Sequence, residues 1–290
     1  MKFALFIGCN IPARVPHFER AARVVLAELQ VDLVDVRRFN CCGYPLRNID
    51  MQTALLFAAR NLALAEAEGV DLLTLCQCCY GTLKKAAHQL ANDAAAKAEA
   101  NRFLARRGLA YEGKSEVKHL LSLLHKDIGT AAIKERVKAP FKNLKIAAHY
   151  GCHVLRPSDV MQFDDPVAPR VLDDLVALTG AKSVDWSQKL ECCGAPLMGV
   201  NDALSKKLTA GKLADAKAAG ADYLSVACPW CQIQFDTVQQ QMEREGLSDV
   251  DLPSILYPQL LGLAMGLSEK ALGLAENKKE IRGVNAFIAQ

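Results

Sequence analysis

Apolar positions along the chain follow two alternating rhythms. Short, nearly continuous apolar runs at residues 2–7, 31–36 and 70–75 read as buried strands. Between and after them, residues 18–29, 51–66 and the stretch from 82 onward are rich in Ala and Leu with charges interspersed. They read as amphipathic helices. Gly69 stands where one of these helices ends and the next strand begins. Strand–helix–strand order of this kind predicts parallel sheets of the α/β class.

The same rhythm then starts again. Phe3-Ala4-Leu5-Phe6-Ile7-Gly8-Cys9 parallels Ile146-Ala147-Ala148-His149-Tyr150-Gly151-Cys152. Cys41-Cys42-Gly43-Tyr44-Pro45-Leu46 parallels Cys192-Cys193-Gly194-Ala195-Pro196-Leu197, and the run from Gly69 to Cys76 parallels that from Gly220 to Cys228. Leu120-Leu121-Ser122-Leu123-Leu124 is echoed by Leu260-Leu261-Gly262-Leu263-Ala264. A repeat of this length means two copies of one domain, with the boundary near Pro140 to Lys145. The expectation is two duplicated Rossmann-like α/β domains, residues 1–143 and 144–290, the second ending in a helical tail. Each cysteine element then follows the carboxyl end of a strand, the edge where open α/β sheets bind ligands. The last 24 residues, 267–290, with Glu269, Lys270, Glu276, Lys278, Lys279 and Glu280, read as a surface helix and tail.

Composition narrows the function. With 51% apolar and 23% charged residues, the chain of 290 residues can build ordinary soluble cores. The net charge of +3 is spread without a basic stripe, which argues against nucleic-acid binding. No apolar stretch is long enough to span a membrane. The opening run before Cys9 is too short for a secretory signal. The chain is therefore expected to be cytoplasmic, where eleven cysteines point to metal or redox chemistry rather than to disulfides.

The eleven fall into two sets: Cys9, Cys41-Cys42, Cys76-Gln77-Cys78-Cys79; and Cys152, Cys192-Cys193, Cys228-Pro229-Trp230-Cys231. The spacings between successive elements are 31 and 33 residues in the first set, 39 and 34 in the second. A tetrahedral zinc site takes four ligands, and so does an ordinary cubane cluster. Each half offers five thiols, two of them adjacent. Adjacent side chains on extended backbone diverge, so they fit different irons of one larger cluster better than one small ion. Gly43 and Gly194 would let the backbone turn and approach closely, and Pro45 and Pro196 would stiffen the exit. Two structural zinc sites with a spare cysteine each are the plainer alternative, against which the duplicated three-part pattern speaks.

With these motifs, together with Cys76–Leu83, Cys-Pro-Trp-Cys-Gln at 228–232 and Tyr257-Pro258-Gln259-Leu260-Leu261-Gly262-Leu263, the chain resembles the CCG-domain family of the heterodisulfide reductase B component over nearly its whole length. The resemblance implies two non-cubane [4Fe-4S] clusters, one on Cys9, Cys41, Cys42, Cys76 and Cys79, the other on Cys152, Cys192, Cys193, Cys228 and Cys231. It implies a disulfide cleaved between them, or thiols oxidised, in one-electron steps. It also implies two partners: a flavoprotein like the A component of heterodisulfide reductase, and a ferredoxin protein like its C component. Such complexes often bifurcate electrons through flavin. The resemblance does not name the substrate. Other CCG-domain proteins relay electrons from organic donors to quinones or other carriers, and that is the second reading. The fused ferredoxin region frequent in that class is missing here.

Several residues remain around this scheme. Reducing a disulfide takes two electrons, which two clusters facing one substrate could deliver singly. No Gly-x-Gly-x-x-Gly follows a strand, so electrons are expected from a protein partner. His153 is a candidate proton donor, its plainer role being a hydrogen bond to sulfur or backbone. His149, inside an expected strand, reads as structural. Cys78 reads as a packed small residue. Lys84 and Lys85 read as a solvated face, and Trp230 as a shield over the second cluster.

Overall fold

The computed structural model describes residues 1–289. Its first half builds a wholly parallel sheet from β1 (Lys2–Phe6), β2 (Asp32–Val34), β3 (Asp71–Thr74) and β4 (Val117–His119), in the order β2-β1-β3-β4. The second half repeats it with β5 (Lys145–Ala148), β6 (Lys182–Val184), β7 (Tyr223–Val226) and β8 (Ser254–Leu256), in the order β6-β5-β7-β8. Helices cover the sheets. Ala4, Phe6, Leu72, Leu73, Ile146, Ala147 and Leu224 are therefore fully or almost fully buried, and the strands read as continuous apolar runs.

In each sheet the chain leaves the central strand first to one side and then to the other. The order reverses between β1 and β3, and between β5 and β7. This is the point where loops at the carboxyl ends diverge and leave a crevice. Cys9, Cys41-Cys42 and Cys76 follow β1, β2 and β3; Cys152, Cys192-Cys193 and Cys228 follow β5, β6 and β7. Six distant segments are thereby delivered to two crevices.

Helices Pro16–Glu28 and Met51–Ala67 form where the pattern predicts them. The third helix starts at Gln77 rather than at residue 82. Cys76 occupies its N-cap, with its sulfur accepting the Cys79 N–H at 3.5 Å, so the second thiol of Cys-x-x-Cys rides on the first helical turn.

The halves meet about a pseudo-two-fold arrangement. Helix Pro16–Glu28 of the first half packs on helix Tyr257–Ala264 of the second. In the same way helix Val171–Leu178 of the second packs on the segment Leu120–Ser122 of the first. These are the two leucine-rich segments already visible as a sequence echo. Helix Gln77–Asn92 likewise packs on Ser158–Met161, where the Tyr80 hydroxyl donates to the Met161 carbonyl at 2.8 Å.

The C-terminal segment differs from the expected surface helix. It forms one short helix, Glu269–Leu272, and two 3-10 turns, Leu274–Glu276 and Arg282–Phe287. Leu272, Leu274, Ile281 and Val284 are buried. The Asp236 carboxylate accepts the Lys278 and Lys279 N–H groups at 2.9 and 2.8 Å, and Glu276 pairs with Arg20 and lies 3.9 Å from His17 of the first half. The tail is a strap across both halves. Its apolar residues fall at turn spacing rather than along one helical stripe.

Candidate metal centre

The first thiol set converges at the end of β1 and β3. Cys9 and Cys41 place their sulfurs 3.8 Å apart, and Cys42, Cys76 and Cys79 are buried behind them. The second set converges likewise, with Cys193 and Cys231 sulfurs 3.5 Å apart and Cys228 buried. Gly43 and Gly194 sit in the left-handed region at φ +93° and +92°. A Cβ on either would stand 2.6 Å from the Ala54 carbonyl or 2.7 Å from that of Ser205. Only glycine lets the vicinal cysteines press so close to the following helix.

The thiols disturb one another's protonation in the same manner in both halves. Cys41 accepts hydrogen bonds from Cys42 and Cys9 and is lowered to about 2, while hydrogen bonding to Cys41 raises Cys9 and raises Cys42 to about 12. Cys192, accepting from Cys152 and Cys193, is lowered to about 2, and its two donors are raised. Cys228 is lowered as well, its burial outweighed by hydrogen bonds from Cys231, Cys76 and Cys78, while Cys79 and Cys231 are raised. Neither set supports five thiolates unaided, because several anions in a small, poorly solvated space repel. Five thiolates in one place need a multiply charged cationic centre, which fits a polynuclear metal group. Single ions have smaller niches: Cys76, Cys78 and Cys228, or His149, Cys193 and Cys231, have ligand atoms mutually within 4.8 Å. An ion at either niche would leave Cys9, Cys41, Cys42, Cys152 and Cys192 without purpose.

The first niche spans the halves, so the two sets touch. Between them opens a cavity of about 290 Å³, lined by Tyr44 and Arg47 from the first half and by Cys152, His153, Cys193 and Trp230 from the second, among others. His153 lines it and touches both halves. Its Nδ1 is 3.4 Å from the Cys78 sulfur and 3.5 Å from that of Cys152, and its Nε2 is 3.5 Å from both the Tyr44 hydroxyl and the Arg47 guanidinium. Burial lowers its pKa, against the pull of the Cys228 thiolate and with the Arg47 and Lys85 charges adding to the effect.

Other residues fall in places the sequence pattern does not indicate. Cys78 is packed in the core, as expected, but at the junction of the two halves, beside His153 and Cys228. Trp230 lines both the cavity and the pocket of the first thiol set, so it covers the junction instead of the second site alone. Lys85 is exposed in a neighbouring groove that Arg47 and His153 also line, while Lys84 faces a separate wide groove beside Tyr80. His149 lies past the end of β5, fully buried, with neither ring nitrogen hydrogen-bonded and its ring among the second set of thiols. Arg47, stacked 4.1 Å over the Tyr44 ring, belongs to no motif; its only sequence signal is its position just after Cys-Cys-Gly-Tyr-Pro-Leu. Among the described residues no helix is long and apolar enough to cross a membrane.

Residues 3–84 and 146–236 each match the model of the CCG cysteine-rich domain. The chain is 40% identical over 280 residues to the B component of the ferredoxin/F(420)H(2)-dependent CoB-CoM heterodisulfide reductase of Methanosarcina acetivorans, covering 95% of this chain and 93% of that one. It is 33% identical over 277 residues to the 8-methylmenaquinol:fumarate reductase membrane anchor subunit of Wolinella succinogenes, covering 95% and 96%. A crystal structure of a hypothetical protein from Helicobacter pylori shares the fold, with a TM-score of 0.75 and 21% identity over 97% of this chain and 52% of that one.

Proposed function

The chain belongs to the CCG cysteine-rich domain family that includes the B component of heterodisulfide reductase, and from that premise we propose that it is the iron–sulfur subunit of a multi-subunit oxidoreductase that reduces a small disulfide or oxidises the matching thiols. Cys9, Cys41, Cys42, Cys76 and Cys79 would hold one non-cubane four-iron cluster. Cys152, Cys192, Cys193, Cys228 and Cys231 would hold the other. When bound, such clusters supply one-electron exchange and affinity for sulfur.

One observation carries the reading: the second thiol set lines a cavity built from both halves, and the first set lines an adjoining pocket that shares Tyr44, Pro45, Cys78 and Trp230 with it. The cavity's size suits a small organic disulfide. Tyr44 and Arg47 offer hydrogen-bond donors on one wall. His153 joins that wall to the Cys152 side through its two ring nitrogens, which suits it to hold a proton for a released thiolate. Trp230 and the prolines of the two Cys-Cys-Gly loops exclude water. Electrons would come through a flavoprotein like the A component of heterodisulfide reductase and a ferredoxin protein like its C component. By family analogy the assembly would be cytoplasmic and of the kind that bifurcates electrons.

The test is turnover of small disulfides by the purified protein with a reduced viologen as donor. Cys42→Ala and Cys193→Ala should each lose nearly all turnover; full turnover in both would sink the proposal. The relative named as a fumarate reductase anchor favours a second reading, an electron relay without a disulfide. On that reading the reduced protein is reoxidised by a quinone and ignores disulfides.

A further inference from the structure

The two halves do not surround their thiols with the same chemistry. Matched from the first cysteine of each set, Phe6 of the first half corresponds to His149 of the second. Matched from the vicinal cysteines, Ala54, Ala58 and Asn61 correspond to Ser205, Thr209 and Lys212. The first site is backed by a phenyl ring, two methyl groups and the neutral carboxamide of Asn61, which donates to the Cys41 carbonyl at 3.1 Å. The second is backed by an imidazole, two hydroxyls and an ammonium group.

We propose that the two clusters are electronically unequal, with the second-half cluster raised to the higher reduction potential by buried Lys212 and by His149. This rests on the cluster-binding part of the reading above, though not on the disulfide.

Lys212 is 1% exposed. It lies one turn beyond Thr209, whose hydroxyl donates to the Cys193 carbonyl at 3.1 Å, on the helix Asp202–Ala218 that follows the vicinal cysteines. Its ammonium donates to the Gln188 carbonyl and stands 4.9 Å over the Trp186 ring, and no carboxylate pairs with it among the described residues. Burial lowers its pKa to about 8, against the upward pull of negative charge at Cys231 and Cys193. His149 packs edge-on to Phe235 at 5.0 Å, and its ring nitrogens have no hydrogen-bond partner. One of them lies within 4.8 Å of both the Cys193 and the Cys231 sulfur. In the first half Phe6 packs edge-on to Phe39 at 5.1 Å and offers no donor.

Reduction adds one negative charge to a cluster. A buried cation and an imidazole close to its sulfurs both favour that added charge and raise the potential. Two features act the other way. Glu191 precedes Cys192, but it is exposed and screened by water and salt. Cys9 is exposed, which admits water to the first site, yet the other thiols there are half-buried or buried. A fixed charge in a dry interior outweighs one wet edge.

The measurement is an anaerobic potentiometric titration of the iron-loaded protein, followed by EPR and visible absorbance without any thiol or disulfide. Wild type should titrate in two separate one-electron steps. Lys212→Met and, independently, His149→Phe should move the upper step to lower potential and leave the lower step in place, while His149→Gln, which keeps a donor, should recover part of the shift. A single step in wild type would overturn the proposal. So would an upper step unmoved in the variants, a shift confined to the lower step, or wild type free of iron. A protein with two separated steps that turns over no disulfide keeps this inference and loses the reading of its substrate.

Discussion

At Gly43 and Gly194 the backbone turns through the left-handed region within van der Waals distance of the next helix, and this lets two successive cysteines face one site. A side chain there meets backbone, which cannot swing aside. Gly194→Ala should therefore lower the urea-unfolding free energy by about 2 kcal/mol or more. It should also halve the iron content, and unaltered iron and stability would show that the tight turn is dispensable. These glycines are legible because Cys-Cys-Gly occurs twice in matching surroundings. His149 is not. A histidine amid Ile146-Ala147-Ala148 reads as a strand residue. Only the end of β5 at Ala148 and the packing of Phe235 turn its ring toward the thiols. The junction placement of Cys78 escapes for a similar reason, since its neighbours in space belong to the other half of the chain.

At the scale of elements, the three cysteine segments of each half work because each follows a strand of one parallel sheet. The apolar runs of β1, β2 and β3 announce this, and the repeat announces it again for the second half. The fourth strands, Val117–His119 and Ser254–Leu256, are not legible in the pattern. Three residues make too short a run to stand out, and their strand character comes from pairing with β3 and β7. The helix after Cys76 begins earlier than its Ala and Leu spacing suggests, because a cysteine serves as its cap. Helix Asp202–Ala218, which supports the second vicinal pair, is capped by Asn201, whose side chain accepts the Leu204 N–H at 3.0 Å. Asn201→Ala should cost about 1 kcal/mol in unfolding free energy, whereas Asn201→Asp should cost far less. Equal losses in both would mean that the cap is not what holds this helix start.

The molecule as a whole is two repeats locked by reciprocal helix packing and by the C-terminal strap, which together bring the second thiol set to a cavity and the first to the pocket adjoining it. The leucine-rich echo hints at the packing, but the strap is hidden because the residues it joins, Arg20 and Glu276, lie 256 positions apart in the chain. Buried His17, 3.9 Å from Glu276, gives this junction a pH dependence. Burial lowers its pKa from 6.5 to about 4. Between those values the unfolded chain binds the proton and the folded one resists it. The stability due to a neutral His17 is thus complete above pH 6.5 and is lost as the pH falls toward 4, on the order of 3 kcal/mol in all. Anaerobic urea midpoints should fall over that window more steeply for wild type than for His17→Gln; parallel curves would assign the acid sensitivity elsewhere. The central claim, two cluster sites in adjoining pockets beside one sulfur-binding cavity, is tested most directly by iron and acid-labile sulfide analysis of the anaerobic protein, with EPR recorded before and after adding thiol under mild oxidation. The account predicts about eight irons and eight sulfides per chain, as two four-iron clusters require, and a signal that changes with the thiol. Zinc without sulfide, or clusters whose spectrum ignores thiols, would contradict it.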